Sequence, residues 1–542
     1  MGEGTSTRDV SRDLRRHRRF NLPDGLDVGT AVRQVRGVSR RRERRRDGPP
    51  RCMVPRVASQ DERRSPPGRR RHEDPADEAC RLLVISYPYI MTARFTRLVP
   101  LALIATVPVL FAAQNSAPRE TVLNHVSLID MSGRPIQRDM AVLIRGDRIA
   151  AIERAAGFNV RGARVLDLTG KFLIPGLVDM HHHLDTGAAM PGAPRTPGQE
   201  PVRDVRANLK EMLGWGFTTV FSTAHANVDP REFAALRRAS IDDAGLPRYF
   251  GVGRAISVAS GHMSQPRIGC YLPASPDEAR VNVGEMHAIG VDAIKLIYAD
   301  QAHTGRPPVP MMRPEVMRAI IAEAHGLGLK AYVHAPALRQ AKDALRAGAD
   351  GLVHSVTDAP LDDEFITLMK KNGATYTTTL SLYTAFADVA AWMRRLAALD
   401  TNGRGPTDIY AKYQTPEGAK AYHAVVSMFP PDNLRHARAN VRRAVDAGIP
   451  VLAGTDTGMP GVLLGVSSQM ELVLLVEAGL TTRQALAAAT INPARAIGRG
   501  HEQGTIERGK LADLLVLDAD PLADIHNIGK VHLVFKGGTP NN

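Results

Sequence analysis

Two histidines stand two positions apart in the stretch VDMHHHLD (residues 178–185), directly after the apolar run FLIPGL (residues 172–177). In a strand, side chains two positions apart point to one face, so His181 and His183 face together and His182 faces the other way. Two neutral imidazoles with a carboxylate suit a borderline divalent ion such as Zn²⁺, and an open coordination position lets such an ion lower the pKa of a bound water to about 7. A histidine pair alone also fits a polar strand end, so a metal site requires further ligands.

Other residues with metal-binding chemistry lie in or at the end of further apolar runs. They are Lys295 within AIKLI, His334 at the end of KAYVH, His354 at the end of GLVH and Asp456 at the end of VLAGTD. Each run is typical of a short buried strand. In a barrel of parallel strands the C-terminal ends meet at one mouth, where these side chains would converge.

The lysine is the most informative of these residues. An inward ammonium at Lys295 is costly in a barrel interior unless it is paired or chemically altered. One solution is reaction with CO₂ to a carbamate, an anionic oxygen ligand that can bridge two metals; the other is an ion pair with Asp456 or another carboxylate. With the carbamate, two ions about 3.5–4 Å apart can share a hydroxide. The predicted ligands are then His181, His183 and Asp456 on one ion, His334 and His354 on the other, and Lys295 between them.

The aspartate can have a second task. A carboxylate that touches both the metal and the shared hydroxide can accept the proton of the nucleophile and pass it to the leaving amine, which is general acid–base catalysis. We therefore predict Asp456 as the catalytic residue. The alternative is that it serves only as a structural ligand.

Short β-rich runs alternate with helical patterns from about residue 172 to residue 497. Eight such runs are present, and helical stretches such as PEVMRAIIAEAH (residues 314–325) separate them. This pattern predicts an α/β fold, a TIM-like (β/α)8 barrel over residues 172–497, which typically has about 250 residues plus insertions. Alternating apolar and polar residues near both ends of the mature chain predict a small β-sandwich domain built from residues 120–171 and 498–542.

Residues 1–90 are rich in arginine and poor in large apolar side chains, which predicts a disordered leader. They hold 22 Arg and 13 acidic residues, so they carry +9 of the total formal charge of +14, and the other 452 residues carry only about +5. The rest of the chain therefore shows no sign of a nucleic-acid surface.

Residues 91–113 combine a short basic segment with an apolar run, which is typical of a signal peptide and too short for a comfortable membrane span. We predict that Met91 is the true start, and that the product is secreted or periplasmic with no stable membrane span in its mature form. The alternative is a basic tail followed by an uncleaved anchor.

Taken together, these motifs resemble the amidohydrolase superfamily over nearly everything after residue 120. The resemblance rests on LIPGLVDMHHH (173–183), IKL (294–296), the VH pairs at two strand ends, AGTDTG (453–458), ATINPAR (489–495) and GTIERGKLADLLVL (504–517). It looks closest to the imidazolonepropionase-like and Xaa-Pro-dipeptidase-like branch, whose members carry a lysine on the fourth strand. The resemblance implies a split β domain, a barrel, a hydrolytic reaction and, in this branch, a carboxylated Lys295 with paired zinc ions.

Two positions depart from the family pattern. The small apolar residue usual between the first two histidines is His182 here. Related sequences often carry a histidine near the helix that follows Gly-Thr-Asp, whereas this chain has GVSSQME (465–471), which leaves a substrate contact from that region without its usual residue.

Three further residues follow predicted strands and could line the pocket: His225, His262 and Tyr383. The histidines could polarise the scissile carbonyl or bind a substrate carboxylate. For the histidines the alternative is a solvated loop, and for Tyr383 it is ordinary packing. Residues 384–433 are longer than a normal connection, which predicts either a helical lid over the mouth or an exposed insertion.

The predicted function is that of a binuclear metal-dependent hydrolase that cleaves a C–N amide bond of a dipeptide-like, N-acyl amino acid or cyclic amide substrate by attack of a metal-bridging hydroxide. The predicted cofactors are two divalent ions, with Zn²⁺ favoured, and a carbamate on Lys295. The partners are a small-molecule or dipeptide-like substrate and, in a homo-oligomer, further copies of the chain. One alternative is a mononuclear deaminase, although such enzymes generally place a glutamate shortly after the fifth-strand histidine, where this chain has HAPALRQ (334–340). The other is a non-catalytic binding barrel, which would have lost ligands.

Overall fold

The computed structural model describes residues 120–184, 204–224, 230–265, 269–424, 426 and 429–541. The predicted leader (1–90) and signal peptide (91–113) lie outside these residues. Across the described part of the chain, no helix combines the length and the apolar character that crossing a bilayer requires.

The described strands follow one another in this order: β1 (Glu120–Leu128), β2 (Gln137–Arg145), β3 (Arg148–Arg154), β4 (Arg164–Asp167), β5 (Phe172–Pro175), β6 (Leu177–His182), β7 (Phe217–Ser222), β8 (Arg248–Gly251), β9 (Ala293–Ile297), β10 (Lys330–His334), β11 (Gly351–Val353), β12 (Thr375–Thr377), β13 (Val451–Leu452), β14 (Leu514–Leu517), β15 (Val531–Lys536) and β16 (Thr539–Asn541). The described α-helices are α1 (Val205–Gly214), α2 (Pro230–Asp242), α3 (Pro276–Ala288), α4 (Pro314–Gly326), α5 (Leu338–Arg346), α6 (Asp363–Asn372), α7 (Leu380–Ala387), α8 (Val389–Leu399), α9 (Thr407–Gln414), α10 (Pro416–His423), α11 (Pro431–Asp446), α12 (Val466–Glu477), α13 (Thr482–Ala488) and α14 (Ile491–Ala496).

Strands from both ends of the described chain join one mixed sheet. Its order is β16-β15-β14-β5-β1-β2-β3, and β4 pairs with β1. The alternating pattern of these strands places Leu123, Val142 and Val516 in one hydrophobic cluster on the sheet. β5 belongs to this sheet through antiparallel pairing with β14, so the residues directly before β6 tie the mixed sheet to the parallel strands.

Parallel strands alternate with helices in the middle of the chain, so the fold is α/β, as predicted. Among the described residues these strands form two sheets, β6-β7-β8 and β9-β10-β11-β12-β13. Backbone hydrogen bonds join the sheets at both edges. Asp456 N donates to His181 O over 2.9 Å beyond β13 and β6, and Ile256 N donates to Lys295 O over 2.9 Å beside β9.

The helices between the strands follow local sequence signals. α3 begins after Ser275, whose side chain accepts a backbone N–H of the first turn, and α6 begins after Asp362 in the same way. α6 ends at Gly373, whose left-handed φ of 59° suits a residue without a Cβ. α4 buries Val316 and Ile320, four residues apart, on the face that packs against the parallel strands.

The predicted insertion of residues 384–433 is mostly helical where it is described, and it contains the end of α7, then α8, α9, α10 and the start of α11, joined by short non-helical connections. Trp392 Nε1 donates to Gly461 O over 2.8 Å, and the Tyr422 hydroxyl donates to Pro460 O over 2.9 Å. Both acceptors lie in the loop after β13. The insertion therefore packs against the loop that leads away from the aspartate of the predicted site.

Candidate metal centre

The first two predicted ligands lie at the end of β6, His181 within the strand and His183 directly after it. Two hydrogen bonds fix the backbone around these histidines. The Asp179 carboxylate accepts the His181 N–H over 3.0 Å, and His183 N donates to Thr457 O over 2.8 Å. His181 and His183 are both buried. His182 is buried as well but faces away from them, with its Nε2 3.7 Å from Asp179 Oδ2.

The two histidines meet the predicted aspartate. Asp456 Oδ1 lies 3.2 Å from His181 Nε2 and 3.0 Å from His183 Nε2. One candidate ligand atom from each of these three residues lies within 4.8 Å of the others, and they are the one such group of three or more in the described chain. Buried imidazoles with a carboxylate are ligands that suit a zinc-like ion.

The lysine of β9 lies in the same cluster. Lys295 is 1% exposed, and its Nζ is 3.3 Å from His181 Nε2. In the part of the chain that the structure covers, no carboxylate oxygen lies within 4.0 Å of this Nζ, so the ion pair considered from the sequence is not formed. Burial lowers the pKa of Lys295 to about 8, which leaves part of the amine neutral near physiological pH.

The two remaining histidines extend the cluster. The ring of His354 lies 4.5 Å from the ring of His181 and 4.4 Å from the ring of His334, measured between centroids. His354 Nδ1 is 4.0 Å from Asp456 Oδ2. The six residues predicted as ligands therefore form one continuous buried group at the ends of β6, β10, β11 and β13 and within β9.

The electrostatics of this group favour neutral imidazoles around an ionised carboxylate. Burial, followed by the nearby charge of Lys295, lowers the pKa of His181 to about 3. Burial also lowers the pKa values of His334 and His354 well below their usual range. Burial alone would raise the pKa of Asp456, but its contacts with His181 and His183 hold that pKa well below its ordinary value. Neutral imidazole and ionised carboxylate are the forms that bind metal.

The ends of three neighbouring strands carry unusual backbone. His354, Thr379 and Asp456 have φ values of 81°, 51° and 64°, in the left-handed region that non-glycine residues rarely adopt. Such residues each cost about 1–3 kcal/mol and persist where the surroundings over-determine them. The strands end early at these points, and the turned backbone aims the side chains of the site.

The predicted substrate contacts lie in different settings. The ring of His262 lies 4.8 Å from that of His334, and its Nδ1 contacts the Gln301 side chain. Burial, followed by the neighbouring charge of His303, lowers the pKa of His262 to about 4. Tyr383 is buried on α7, and its hydroxyl is 3.4 Å from Ser355 O.

His225, the third predicted substrate contact, lies outside the described residues.

Two buried carboxylates beside the site were not predicted from the sequence. Asp179 accepts the Thr455 and Ser468 hydroxyls over 2.8 Å and 2.7 Å, and burial raises its pKa to about 6. Glu471 lies on α12, and burial raises its pKa to about 7. The available signal was the run of polar residues SSQ and E within an otherwise apolar helix, all of them buried.

Two buried imidazole nitrogens that lack a hydrogen-bond partner in the described part of the chain give further support for a metal site. Nδ1 of His334 is buried and has no hydrogen-bond partner among the described residues, and the same holds for Nδ1 of His181. An unsatisfied buried imidazole nitrogen costs free energy unless a ligand or water meets it. The donor set of neutral imidazoles, one ionised carboxylate and a partly neutral amine is therefore suited to hold metal.

The sequence and fold match known hydrolases. A model of the amidohydrolase family matches residues 172–540. A dihydroorotase from Anaeromyxobacter sp. (strain K) is 28% identical over 418 residues, which cover 72% of this chain and 87% of that protein. An imidazolonepropionase from Geobacillus kaustophilus (strain HTA426) is 40% identical over 104 residues, which cover 18% of this chain and 24% of that protein. The crystal structure of a Xaa-Pro dipeptidase with methionine bound in the active site has a TM-score of 0.62 and 25% identity, and the match covers 78% of this chain and 100% of that chain.

These matches confirm the resemblance predicted from the motifs. The matched range, residues 172–540, contains all six predicted ligands. The chain belongs to the amidohydrolase family and is a metal-dependent hydrolase that acts on carbon–nitrogen bonds.

Proposed function

We propose that the protein is a binuclear hydrolase that cleaves a C–N amide bond in a dipeptide-like, N-acyl amino acid or cyclic amide substrate. The observation that carries this proposal is the setting of Lys295. Its Nζ is buried 3.3 Å from a histidine nitrogen, with no carboxylate within 4.0 Å among the described residues. A carbamate on this amine would replace an unpaired buried cation with an anion that two ions can share.

The similarity to known hydrolases supports the substrate class. One solved structure whose match covers 78% of the chain, at 25% identity, is named a Xaa-Pro dipeptidase, which favours a dipeptide-like substrate. The names of the dihydroorotase and the imidazolonepropionase support a hydrolytic reaction but point to different substrates. We therefore define the proposed substrate class by the bond that is cleaved, a C–N amide bond.

The chain's own residues would divide the work. His181, His183 and Asp456 would hold one ion, His334 and His354 the other, and the carbamate of Lys295 would bridge them. Bound divalent ions supply a water of lowered pKa and polarise a carbonyl oxygen.

Asp456 is the residue that would move the proton. Its Oδ1 contacts His181 and His183, whereas its Oδ2 is 4.0 Å from His354 Nδ1 and is the less engaged oxygen. Oδ2 would accept a proton from water and return it to the leaving nitrogen. We propose His262, next to His334, with His225 and Tyr383, as the contacts that orient the substrate.

Metal content tests the proposal directly. Protein purified without chelator and loaded with Zn²⁺ should hold two ions per chain, measured by inductively coupled plasma mass spectrometry. Equilibration with ¹³C-bicarbonate should give a carbamate carbon signal in NMR spectra. A single ion with full hydrolytic activity would contradict the two-ion proposal and favour the mononuclear alternative, which the compact group of His181, His183 and Asp456 already accommodates. Bound metal is not expected if the barrel serves for binding alone.

We also infer a closed architecture. The backbone hydrogen bonds at both sheet edges support a TIM-like (β/α)8 barrel made of β6 to β13. The mixed sheet supports a separate small β-sandwich domain from residues 120–171 and 498–542. The helices of residues 384–433, which pack on the loop after β13, support a lid.

The location of the protein is a separate proposal, based on residues 91–113. If this segment is a signal peptide that directs export to the periplasm or medium, the mature protein should begin after it. N-terminal sequencing of the natural product tests this expectation. A product that begins before Met91 would show that the segment is not an N-terminal signal.

A further inference from the structure

We propose that Glu471 is a positioning residue which, through Thr379, holds His354 in the orientation that a metal ligand needs. This inference rests on the proposed function, in which His354 binds the second ion. Glu471 lies on α12, and the hydrogen bonds that its carboxylate accepts among the described residues come from Thr378, Leu380 and Ser381 and not from a predicted ligand.

The Glu471 carboxylate gathers four hydrogen bonds from one short segment. Its Oε1 accepts the Thr378 hydroxyl over 2.5 Å and Leu380 N over 2.8 Å. Its Oε2 accepts both the backbone N and the hydroxyl of Ser381, each over 2.7 Å. Glu471 is fully buried. All four donors lie in residues 378–381, so this one carboxylate fixes the turn from β12 into α7.

The residue at the centre of that turn is Thr379. Its φ of 51° is left-handed, a conformation that a β-branched residue adopts only under constraint. Its neighbours on both sides, Thr378 and Leu380, are tied to Glu471. The carboxylate thus holds the strained turn in place.

The turn reaches the metal group through one hydroxyl. Thr379 Oγ1 lies 3.0 Å from Nδ1 of His354. The Tyr383 hydroxyl is 3.4 Å from Ser355 O, on the residue after His354. With Nδ1 of His354 donating to Thr379, Nε2 is left to bind an ion. A partner on the second ring nitrogen is what orients a metal-binding histidine.

A glutamine cannot replace the glutamate in this role. Ser381 offers its backbone N–H and its hydroxyl to Oε2. An amide nitrogen at that position could donate to the hydroxyl, which can turn to Ser467 O 3.1 Å away, but it would still face the Ser381 N–H. The carboxylate accepts from all four donors, whereas the amide leaves a backbone N–H without an acceptor at a fully buried position.

Four variants test the inference. Glu471→Gln disturbs the turn. Thr379→Val removes the hydroxyl but keeps the branched shape, whereas Thr379→Ser keeps the hydroxyl and removes the methyl group. Gln469→Met is the matched control, because Gln469 is equally buried on α12 but bonds Trp215 O instead. The measurements are the Zn²⁺ dissociation constant from chelator competition, the absorption spectrum of the Co²⁺ form, and the thermal unfolding midpoint of the metal-free protein.

We expect Glu471→Gln and Thr379→Val to weaken retention of the second ion by about 10- to 100-fold and to shift the Co²⁺ spectrum. Thr379→Ser should retain most of the parent protein's affinity for the second ion. Gln469→Met should lower the unfolding midpoint and keep the parent affinity. If Glu471→Gln does not fold, Thr379→Val decides alone. Parent affinity in Thr379→Val, or an equal loss in Gln469→Met, overturns the inference.

His354→Ala separates this inference from the proposed function. If it loses one ion while Thr379→Val and Glu471→Gln keep both, the ligand role stands and the positioning role is wrong. If His354→Ala keeps both ions, the proposed binuclear site is wrong, and the positioning role is overturned with it.

Discussion

Replacing Lys295 with alanine should give a chain that folds, retains at most one metal ion and loses at least about 10³-fold in kcat/KM. The reason is that the variant lacks the only proposed ligand shared by both ions, so the second ion leaves and the charge that develops on the carbonyl oxygen is no longer stabilised. Metal content and hydrolysis of a panel of dipeptides, N-acyl amino acids and lactams measure the effect. Full activity, or two retained ions, would falsify the bridging role.

Lys536 provides a matched control. It is as buried as Lys295, at 1% exposure, and burial likewise lowers its pKa to about 8. Its Nζ, however, donates to the carbonyls of Ser240 and Ile241 over 2.8 Å and 2.7 Å. Lys536→Met should therefore lower stability and leave the metal content unchanged. The two lysines are equally exposed but have different partners, so the comparison separates the effect of losing a buried lysine from the effect of losing a metal ligand.

The pH dependence of stability gives a second test of Lys295. Its folded-state pKa of about 8 lies below the ordinary value of 10.5, so the unfolded chain binds more protons between these two values. The cost of the buried ammonium is present in full below about pH 8 and is relieved as the pH rises toward 10.5. Metal-free parent protein should gain stability relative to Lys295→Met over that window, measured by denaturant unfolding. Parallel curves for the two proteins would show that the amine bears no such cost.

The strand positions of the proposed ligands could be predicted from the sequence because they follow from local patterns. The predicted runs of β9 and β10 match the structure residue for residue, and the two-residue spacing placed His181 and His183 on one face. Buried runs of β-branched and apolar residues carry this signal within five or six positions. The proposed ligand set therefore needed no long-range information beyond the assumption that strand ends converge.

The ends of the strands could not be read in the same way. The run to Asp456 predicted a continuous strand, whereas β13 ends at Leu452 and Asp456 takes a left-handed φ of 64°. That conformation is imposed by contacts with β6, distant in sequence, and no local propensity favours it. The same holds for Glu471, whose four donors come from another strand end. A residue acting through tertiary contacts leaves only a weak trace, here a polar group in an apolar helix.

Replacing Asp456 with asparagine should lower kcat by about 10²–10⁴-fold while much of the metal is retained. The amide keeps one oxygen for the contacts that Oδ1 makes with His181 and His183, but it cannot accept a proton at the other position. Steady-state kinetics with metal content measured on the same samples would distinguish the two effects. Because the pKa of Asp456 is held well below its ordinary value, the parent carboxylate is ionised throughout the neutral range, and the loss should be the same across that range.

A second buried aspartate shows whether such a loss is specific. Asp513 is 5% exposed, as Asp456 is, but its Oδ2 pairs with Arg248 Nε over 2.6 Å, between the mixed sheet and β8. Asp513→Asn leaves a buried guanidinium without its charge partner, so it should destabilise the fold by several kcal/mol and preserve kcat in the folded protein. If Asp456→Asn instead loses activity only in proportion to its metal, the carboxylate is a ligand and nothing more, and the proton must move through another group. If activity falls while both ions stay, proton transfer at Oδ2 is the step that the substitution removes.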